Sequence, residues 1–388
     1  MAQPLPTTQR NRRILVVAGA RPNFVKIAPL MEQLVAAKPM GVATLLVHTG
    51  QHYDEAMSRL FFDQLGIPRP DVNLEVGSGR HGQQTGEVLS RIEPVMMEWK
   101  PDVVVVVGDV NSTLAAALAA AKLHIRVAHV EAGLRSFDRT MPEETNRVLT
   151  DALAGYLFVS EPSGAENLRR EGVAEEKVHV VGNVMIDSLR KFKGIAQRSH
   201  VLKDFGLAAE SGAARPFGLL TLHRPANVDN AKTLAALLEA LAEIGKEIPI
   251  LFPAHPRTQA CIGRFGLGKN IRTEWDKAKG GVRMCPPIGY LEFLHLESEA
   301  AFVMTDSGGI QEETTVLGVP CLTLRENTER PITVEEGTNT LVGNDPVRVL
   351  SAARQILGGE GKKGRTPALW DGQASIRIVE ILVRRELN

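Results

Sequence analysis

The chain has 388 residues, 44% of them hydrophobic and 23% charged, with 45 basic and 45 acidic side chains and a formal net charge of zero. That composition supports a large core in two or three domains, and the balanced charge gives no reason to expect a nucleic acid or an anionic membrane as partner, so an anionic ligand must be held by a local site. Three distant cysteines, Cys261, Cys285 and Cys321, lack CxxC spacing and read as reduced thiols of a cytoplasmic protein, not as a disulfide framework or a zinc site.

Residues 1–12 are polar and read as a disordered leader, and no apolar run approaches the length of a signal-peptide core or a membrane span. From residue 13 short apolar runs alternate with amphipathic segments. Strands are expected at Ile14–Ala18, Ala43–His48, Val103–Val107, Val127–Val130, Tyr156–Val159 and Val178–Val181. Helices are expected near 23–38, 54–64, 83–99, 112–123, 143–154, 162–171 and 184–196. The VVVVV run at 103–107 is apolar on both faces, as suits a parallel strand covered by helices on each side. The pattern weakens across 197–215 and resumes, with strands at Phe217–Leu222, Ile248–Phe252, Val282–Met284, Ala301–Thr305 and Cys321–Leu324 and helices near 231–246, 289–297 and 309–317. The reading is two doubly wound α/β domains, 13–195 and 196–388, with a mobile Gly/Lys-rich loop at Gly358–Arg365 and a last helix at 374–386 that could pack back on the first domain.

In open α/β sheets, ligands bind beyond the carboxyl ends of the strands. Polar residues gather there. Arg21 and Asn23 follow the first strand, Gln51 and His52 the second, Asp109 the valine strand and Glu131 the next. In the second domain His223 and Arg224, His255, and Asp306 to Gly309 occupy equivalent positions. The segment TDSGGIQEE (305–313) passes from strand to helix through a Ser-Gly-Gly turn. Free N–H groups at a helix start favour a diphosphate, and glycines let it approach the backbone. Glu313 could accept ribose hydroxyls; the plainer reading is a turn capped by Asp306 or Ser307.

A second cluster is acidic: Asp109 in VGDVNST, Glu131 in HVEAGLRS, and Glu143 and Glu144 in MPEETNR. Removing a proton from carbon needs a base, and crowded or desolvated carboxylates have pKa values suited to that work. Glu143 is also an ordinary first-turn charge, with Arg147 at i+4 as an ordinary helix ion pair. A third cluster is cationic: Arg21 could reach a diphosphate, Lys26 could be no more than a solvated helix charge, and His223 could donate to a departing phosphate. Gly77-Ser78-Gly79-Arg80-His81-Gly82 matches GxGxxG but does not follow the first strand of the fold, where the dinucleotide fingerprint belongs. No HExxH motif suggests a metal, and no cofactor is expected.

Together GARPNFVK, HTGQH, VGDVNST, HVEAGLRS, MPEETNR, TLHRPANV, TDSGGIQEE and ENTERP, in this order, make the chain resemble the non-hydrolysing UDP-N-acetylglucosamine 2-epimerases from residue 14 to about residue 340. The resemblance implies a glycosyltransferase-B architecture, two Rossmann-like domains facing a cleft, usually as a homodimer acting on a UDP-sugar. By motif it assigns Asp109, Glu131, Glu143 and His223 to catalysis. It assigns Arg21, Arg147, Ser307, Gly308, Gly309 and Glu313 to the nucleotide, Lys26 to the edge of the site, and Phe293 to the position that holds uracil. It also matches Gln51, His52 and His255 to part of the second UDP-sugar site that activates some bacterial members. Asn23 stands where the family usually has Glu, His-Arg-Pro-Ala-Asn replaces the commoner His-Arg-Arg-Glu-Asn, and Asp54 and the His-Pro-Arg at 255–257 depart from the activator pattern. The implied reaction eliminates UDP to 2-acetamidoglucal and adds it back on the other face. A glycosyltransferase of the same architecture, a hydrolysing epimerase, an epimerase of a modified UDP-2-acetamido sugar and a silent UDP-sugar binder are the competing readings.

Overall fold

The structure, a computed structural model, describes residues 12–19, 21–50, 62–272 and 280–384, apart from the side chains of Arg21, Pro22 and Asn270. The chain divides into two units, one made of Met1–Ser188 with Asp371–Asn388 and the other of Leu189–Trp370. The division falls inside the helix Val184–Ala196.

The first unit carries seven parallel strands: β1 Arg12–Ala18, β2 Val42–His48, β3 Val72–Asn73, β4 Val103–Val107, β5 Arg126–Val130, β6 Tyr156–Val159 and β7 Val178–Val180. Their order is β3-β2-β1-β4-β5-β6-β7, so the direction of winding reverses between β1 and β4. All five valines of β4 are buried, and each contributes on the order of 1.5–3 kcal/mol by leaving water. Val104 and Val106 pack with Leu15 and Val17 against Val88, Ile92 and Met96 of the helix His81–Trp99 and against the alanines of the helix Asn111–Lys122. The helix Ala374–Val383 belongs to this unit: Asp187 accepts from the amides of Ala374 and Ser375 at 3.1 and 2.7 Å, and Arg377 reaches the Val181 carbonyl at 3.0 Å.

The second unit repeats the plan with β8 Gly218–Thr221, β9 Ile250–Pro253, β10 Ile271–Arg272, β11 Val282–Cys285, β12 Phe302–Thr305, β13 Cys321–Thr323 and β14 Asn339–Leu341. The order is β10-β11-β9-β8-β12-β13-β14, all parallel, with the winding reversing between β8 and β12. One core, including Leu220, Phe252, Phe302 and Met304, lies under the helix Ala231–Ile244; another, with Phe217, Leu219, Leu251 and Val303, takes in Val201, Leu202 and Leu207. The weakly patterned stretch 197–215 is therefore built into this unit, through a short helix Val201–Asp204 and a bridge between Ala208 and Ala214.

These are the two doubly wound α/β units expected from the alternation of apolar runs. The expected mobile loop at Gly358–Arg365 is corrected. Lys362 donates to the carbonyls of Val334 and Asn339, and the Arg365 amide donates to the Glu336 carbonyl at 2.8 Å. Backbone polar groups claim this segment, and composition gave no sign of that.

Candidate active site

Each point where the winding reverses gathers candidate functional side chains. In the first unit the chain leaves β1 and opens the helix Arg21–Ala36, whose third and sixth residues, Asn23 and Lys26, are buried. Asn23 donates to the last carbonyl of β4, Val107, at 3.0 Å and accepts from the Gly19 amide at 3.3 Å, joining the two strands on either side of the reversal. Lys26 is no solvated charge: it forms a buried ion pair with Glu131, which sits just past β5 at φ +71°. Gly108 makes the meeting possible. Its φ is +70°, and a Cβ there would lie 3.3 Å from both Glu131 Oε2 and Lys26 Nζ and 3.4 Å from Asn23 Nδ2. His129 fixes the same turn, with Nε2 2.9 Å from the Gly108 carbonyl and Nδ1 2.6 Å from Asp151.

Asp109, the next residue, is half-exposed and pairs with Arg147 Nη1 at 2.6 Å. Arg147 gives its other nitrogen to Glu144 at 2.7 Å, so its ion pairs run to Asp109 and to the i+3 carboxylate, where the plain sequence reading had Glu143 at i+4. Glu144 is the structural member of the acidic pair. It is buried and accepts from Ser136 N and Oγ, both at 2.9 Å, and from Phe137 N at 3.0 Å. Burial alone raises its pKa, but the Ser136 and Arg147 hydrogen bonds outweigh that and hold it below the usual range. Glu143 is half-buried in the first helical turn and has no hydrogen-bond or ion-pair partner among the described residues, so it is available to a ligand. Asn146 donates to the Asp109 carbonyl at 2.9 Å, steadying the Asp109 backbone.

In the second unit the centre is Asp306, fully buried at the end of β12. It does not cap the helix that follows. It accepts instead from the backbone of His223 (3.1 and 3.0 Å) and Arg224 (2.9 Å), from Asn227 Nδ2 (3.0 Å), and from His223 Nδ1 (2.9 Å). Burial works against its charge, but His223 and these amides win and keep it an anion. An anionic acceptor on Nδ1 fixes the imidazole's tautomer and orientation, so Nε2 is the nitrogen left to act on a ligand; the His223 side chain is 40% exposed.

The helix Gly308–Leu317 then starts at Ser307 with no side-chain cap, so its first-turn N–H groups are those an anion can use. The capped-turn reading fails at both residues. A Cβ on Gly308 would lie 2.5 Å from Arg330 Nη1, which brings a guanidinium against this helix start. Arg330 is otherwise held by Glu312 at 2.7 Å and Glu329 at 3.6 Å. Glu313, one turn in, is buried and accepts from the Tyr290 hydroxyl at 3.0 Å. Phe293, half-buried on the helix Tyr290–Glu299, packs against the core around Leu296 and Val303. His255 caps the helix Pro256–Phe265 and lies 6.1 Å, ring to ring, from His223. Gln51, His52 and the side chain of Arg21 lie outside the described residues.

Sequence reasoning singled out most of these positions but missed Arg330, although it stands in the quoted ENTERP segment, and missed Asn227 and His129, which act on backbone carbonyls and on other side chains. Among the described residues no group of three His, Cys, Asp or Glu could hold a metal, and no helix is long and apolar enough to cross a membrane.

Comparison with known proteins decides the family. A family model described as UDP-N-acetylglucosamine 2-epimerase matches residues 35–383. The chain belongs to that family. It is therefore an isomerase, and it shares 44% identity over 372 residues, 95% of this chain and 98% of the other, with the UDP-N-acetylglucosamine 2-epimerase of Methanococcus maripaludis. It is also 42% identical over 375 residues, 96% of this chain and 99% of the other, to the UDP-2,3-diacetamido-2,3-dideoxy-D-glucuronate 2-epimerase of Pseudomonas aeruginosa. Among solved structures, the Methanocaldococcus jannaschii UDP-GlcNAc 2-epimerase in complex with UDP-GlcNAc and UDP superposes with a TM-score of 0.85 at 43% identity, covering 95% of this chain and 99% of that one.

Proposed function

We propose that this epimerase interconverts UDP-N-acetylglucosamine and UDP-N-acetylmannosamine by eliminating UDP and adding it back. The C2 hydrogen of the hexose has no neighbouring carbonyl, so direct deprotonation is prohibitively slow. In the elimination a carboxylate takes the C2 proton, the C1–O bond breaks, and its electron pair leaves with UDP. The ring keeps a C1–C2 double bond as 2-acetamidoglucal. Reprotonation of C2 on the opposite face, with return of the UDP oxygen to C1, completes the inversion.

Asp109, Glu131 and Glu143 supply the proton transfers in this reading, with Lys26 and Arg147 holding two of them. The nucleotide takes the uncapped helix start at Ser307, Gly308 and Gly309, its ribose takes Glu313, and uracil takes Phe293. His223 and Arg21 stabilise the charge that develops on the departing diphosphate, to which Arg330 adds a guanidinium. The observation that carries the reading is the His223–Asp306 pair beside that helix start: an oriented imidazole adjoining an anion site suits departure of a phosphate, while a binding module has no use for the orientation. The Pseudomonas aeruginosa relative supports a second reading, in which the substrate is a modified UDP-2-acetamido sugar.

Incubation with UDP-N-acetylglucosamine alone in D2O tests both. Deuterium at C2 of two epimers is the expected result. Free N-acetylmannosamine with UDP marks a hydrolysing enzyme. No exchange overturns the substrate assignment, and exchange with a diacetamido uronate instead establishes the second reading.

A further inference from the structure

Tyr290 and Glu297 stand about two turns apart on the helix Tyr290–Glu299 and so share a face. That face lies against the helix Gly308–Leu317, where the Tyr290 hydroxyl donates to Glu313 and Glu297 comes within hydrogen-bonding reach of the same carboxyl. Glu297 has no exposed surface, and neither of its oxygens has a donor among the described residues. No Lys, Arg or His pairs with Glu297 or Glu313 among those residues; the nearby Arg330 is taken by Glu312 and Glu329. Two buried carboxyls in contact without a cation cannot both ionise, so the pair keeps a proton and one partner donates to the other. Glu313 already accepts from Tyr290, which leaves Glu297 as the donor.

We infer that Glu297 is a neutral carboxylic acid that donates to Glu313 and thereby holds Glu313 as the anionic acceptor for a ribose diol. The inference rests on the proposed nucleotide site at Ser307–Glu313. Glu297 is a positioning residue, since it acts through Glu313. The groups facing the pair are Tyr290 from its own helix, Glu312 from the helix of Glu313, and Cys321 from β13. His295, on the helix of Glu297, bonds Ser199 instead. Burial pushes the Cys321 thiol up to about 12 and the Tyr290 hydroxyl above its ordinary value, so neither titrates near neutrality. Burial, reinforced by the charge of Glu313, pushes Glu297 well above the usual carboxyl range. Burial also raises Glu313, to about 7, with Tyr290 and Glu297 pulling it down and Glu312 pushing it up.

The test is calorimetric titration of the full chain with UDP from about pH 6 to about pH 10. Wild-type affinity is expected to fall on the acid side as Glu313 takes up a proton and on the alkaline side as Glu297 loses one. Glu297→Gln keeps a neutral donor that does not titrate, so it is expected to retain binding near neutrality and to lose the part of the alkaline fall set by Glu297, leaving only the part set by ionisation of the uracil. Glu297→Leu removes the donor; UDP is expected to bind roughly tenfold more weakly, with the acid fall moved to higher pH, and in turnover the loss appears in KM and not in kcat. If Glu297→Leu does not fold, the alkaline limb of Glu297→Gln decides alone. Identical pH profiles for wild type and Glu297→Gln overturn the inference, as does loss of binding in a folded Glu297→Gln.

If wild type fails to bind UDP at all, the nucleotide reading falls, and the shared proton is then tested by Tm. A carboxyl raised in the folded state contributes stability that is lost as pH rises from its unfolded value toward its folded one. Glu297→Gln must therefore lose less Tm than wild type between neutral and alkaline pH, and an equal loss overturns the inference.

Discussion

Two clusters of buried carboxylates, one in each unit, hold their acids in opposite ways. In the cluster beyond β4 and β5 of the first unit, the acids stand beside cations: Glu131 with Lys26, Glu144 with Arg147, and Asp151 with Arg135 at 2.7 Å. In the second unit Glu297 and Glu313 meet each other and a tyrosine, while the neighbouring Glu312 and Glu329 have Arg330. The same side chain is thus a fixed charge where it has a counter-ion and a proton store where it lacks one. Asp306 shows that the rule follows the partners and not the unit, since His223 and three amide donors keep it charged inside the second.

The largest expected effect breaks the comparison if it is missing. Asp306→Asn keeps the shape of the side chain but no longer fixes the tautomer of His223, and kcat is expected to fall roughly 10²- to 10⁴-fold with the fold intact by circular dichroism. Unchanged turnover would show that His223 needs no anion. Next comes Glu144→Ala, which strips Arg147, Ser136 and Phe137 of their acceptor and leaves a buried guanidinium short of one counter-ion. Denaturant unfolding is expected to report a loss of about 3–5 kcal/mol; a loss below 1 kcal/mol, the value of an exposed pair, would mean the network is solvated.

The third prediction sets the units against each other in pH. Asp151 lies below its ordinary pKa because His129 and Arg135 together outweigh its burial, so its contribution is full above the unfolded value and is lost as pH falls through the lower folded one. Glu313 is raised to about 7, so its contribution is full below the unfolded carboxyl value and is lost as pH rises through about 7. Hydrogen exchange corrected for intrinsic rates is expected to show the helix Gly308–Leu317 losing protection on the alkaline side while β5 and the helix Pro142–Leu153 hold theirs, with the reverse in acid. A common response in both would refute the contrast. The smallest effect is a control. Arg169 and Arg170 draw Glu166 down to about 2, yet the cluster is exposed, and Glu166→Gln is expected to leave Tm unchanged.

Strands long enough to show an apolar pattern were legible in the sequence, as were the residues just beyond them. The two-residue β10 and the three-residue β14 were not, because Ile-Arg and Asn-Thr-Leu form no apolar run, whereas the equally short β7 and β13 lie in Val-His-Val-Val and Cys-Leu-Thr-Leu. The helices Pro256–Phe265 and Pro346–Gln355 were also passed over, although each buries a short stripe, Thr258, Cys261 and Ile262 in one and Val349 and Ala353 in the other. At the site, residues at strand ends announced themselves, but pairings did not. Nothing in the spacing of Glu143, Glu144 and Arg147 says that the arginine reaches Asp109, because that contact spans 38 positions of chain. Glu297 was invisible for a related reason: a glutamate inside an amphipathic helix reads as solvent-facing until its neighbours are known.

The first unit leaves the chain at Ser188 and regains it at Asp371. During synthesis its sheet is complete long before its closing helix emerges, since all of the second unit must be made in between. Until then Asp187 lacks the amides of Ala374 and Ser375, and Val181 lacks Arg377. A ribosome-bound nascent chain is thus left with an unfinished edge throughout that interval, where a chaperone has reason to linger.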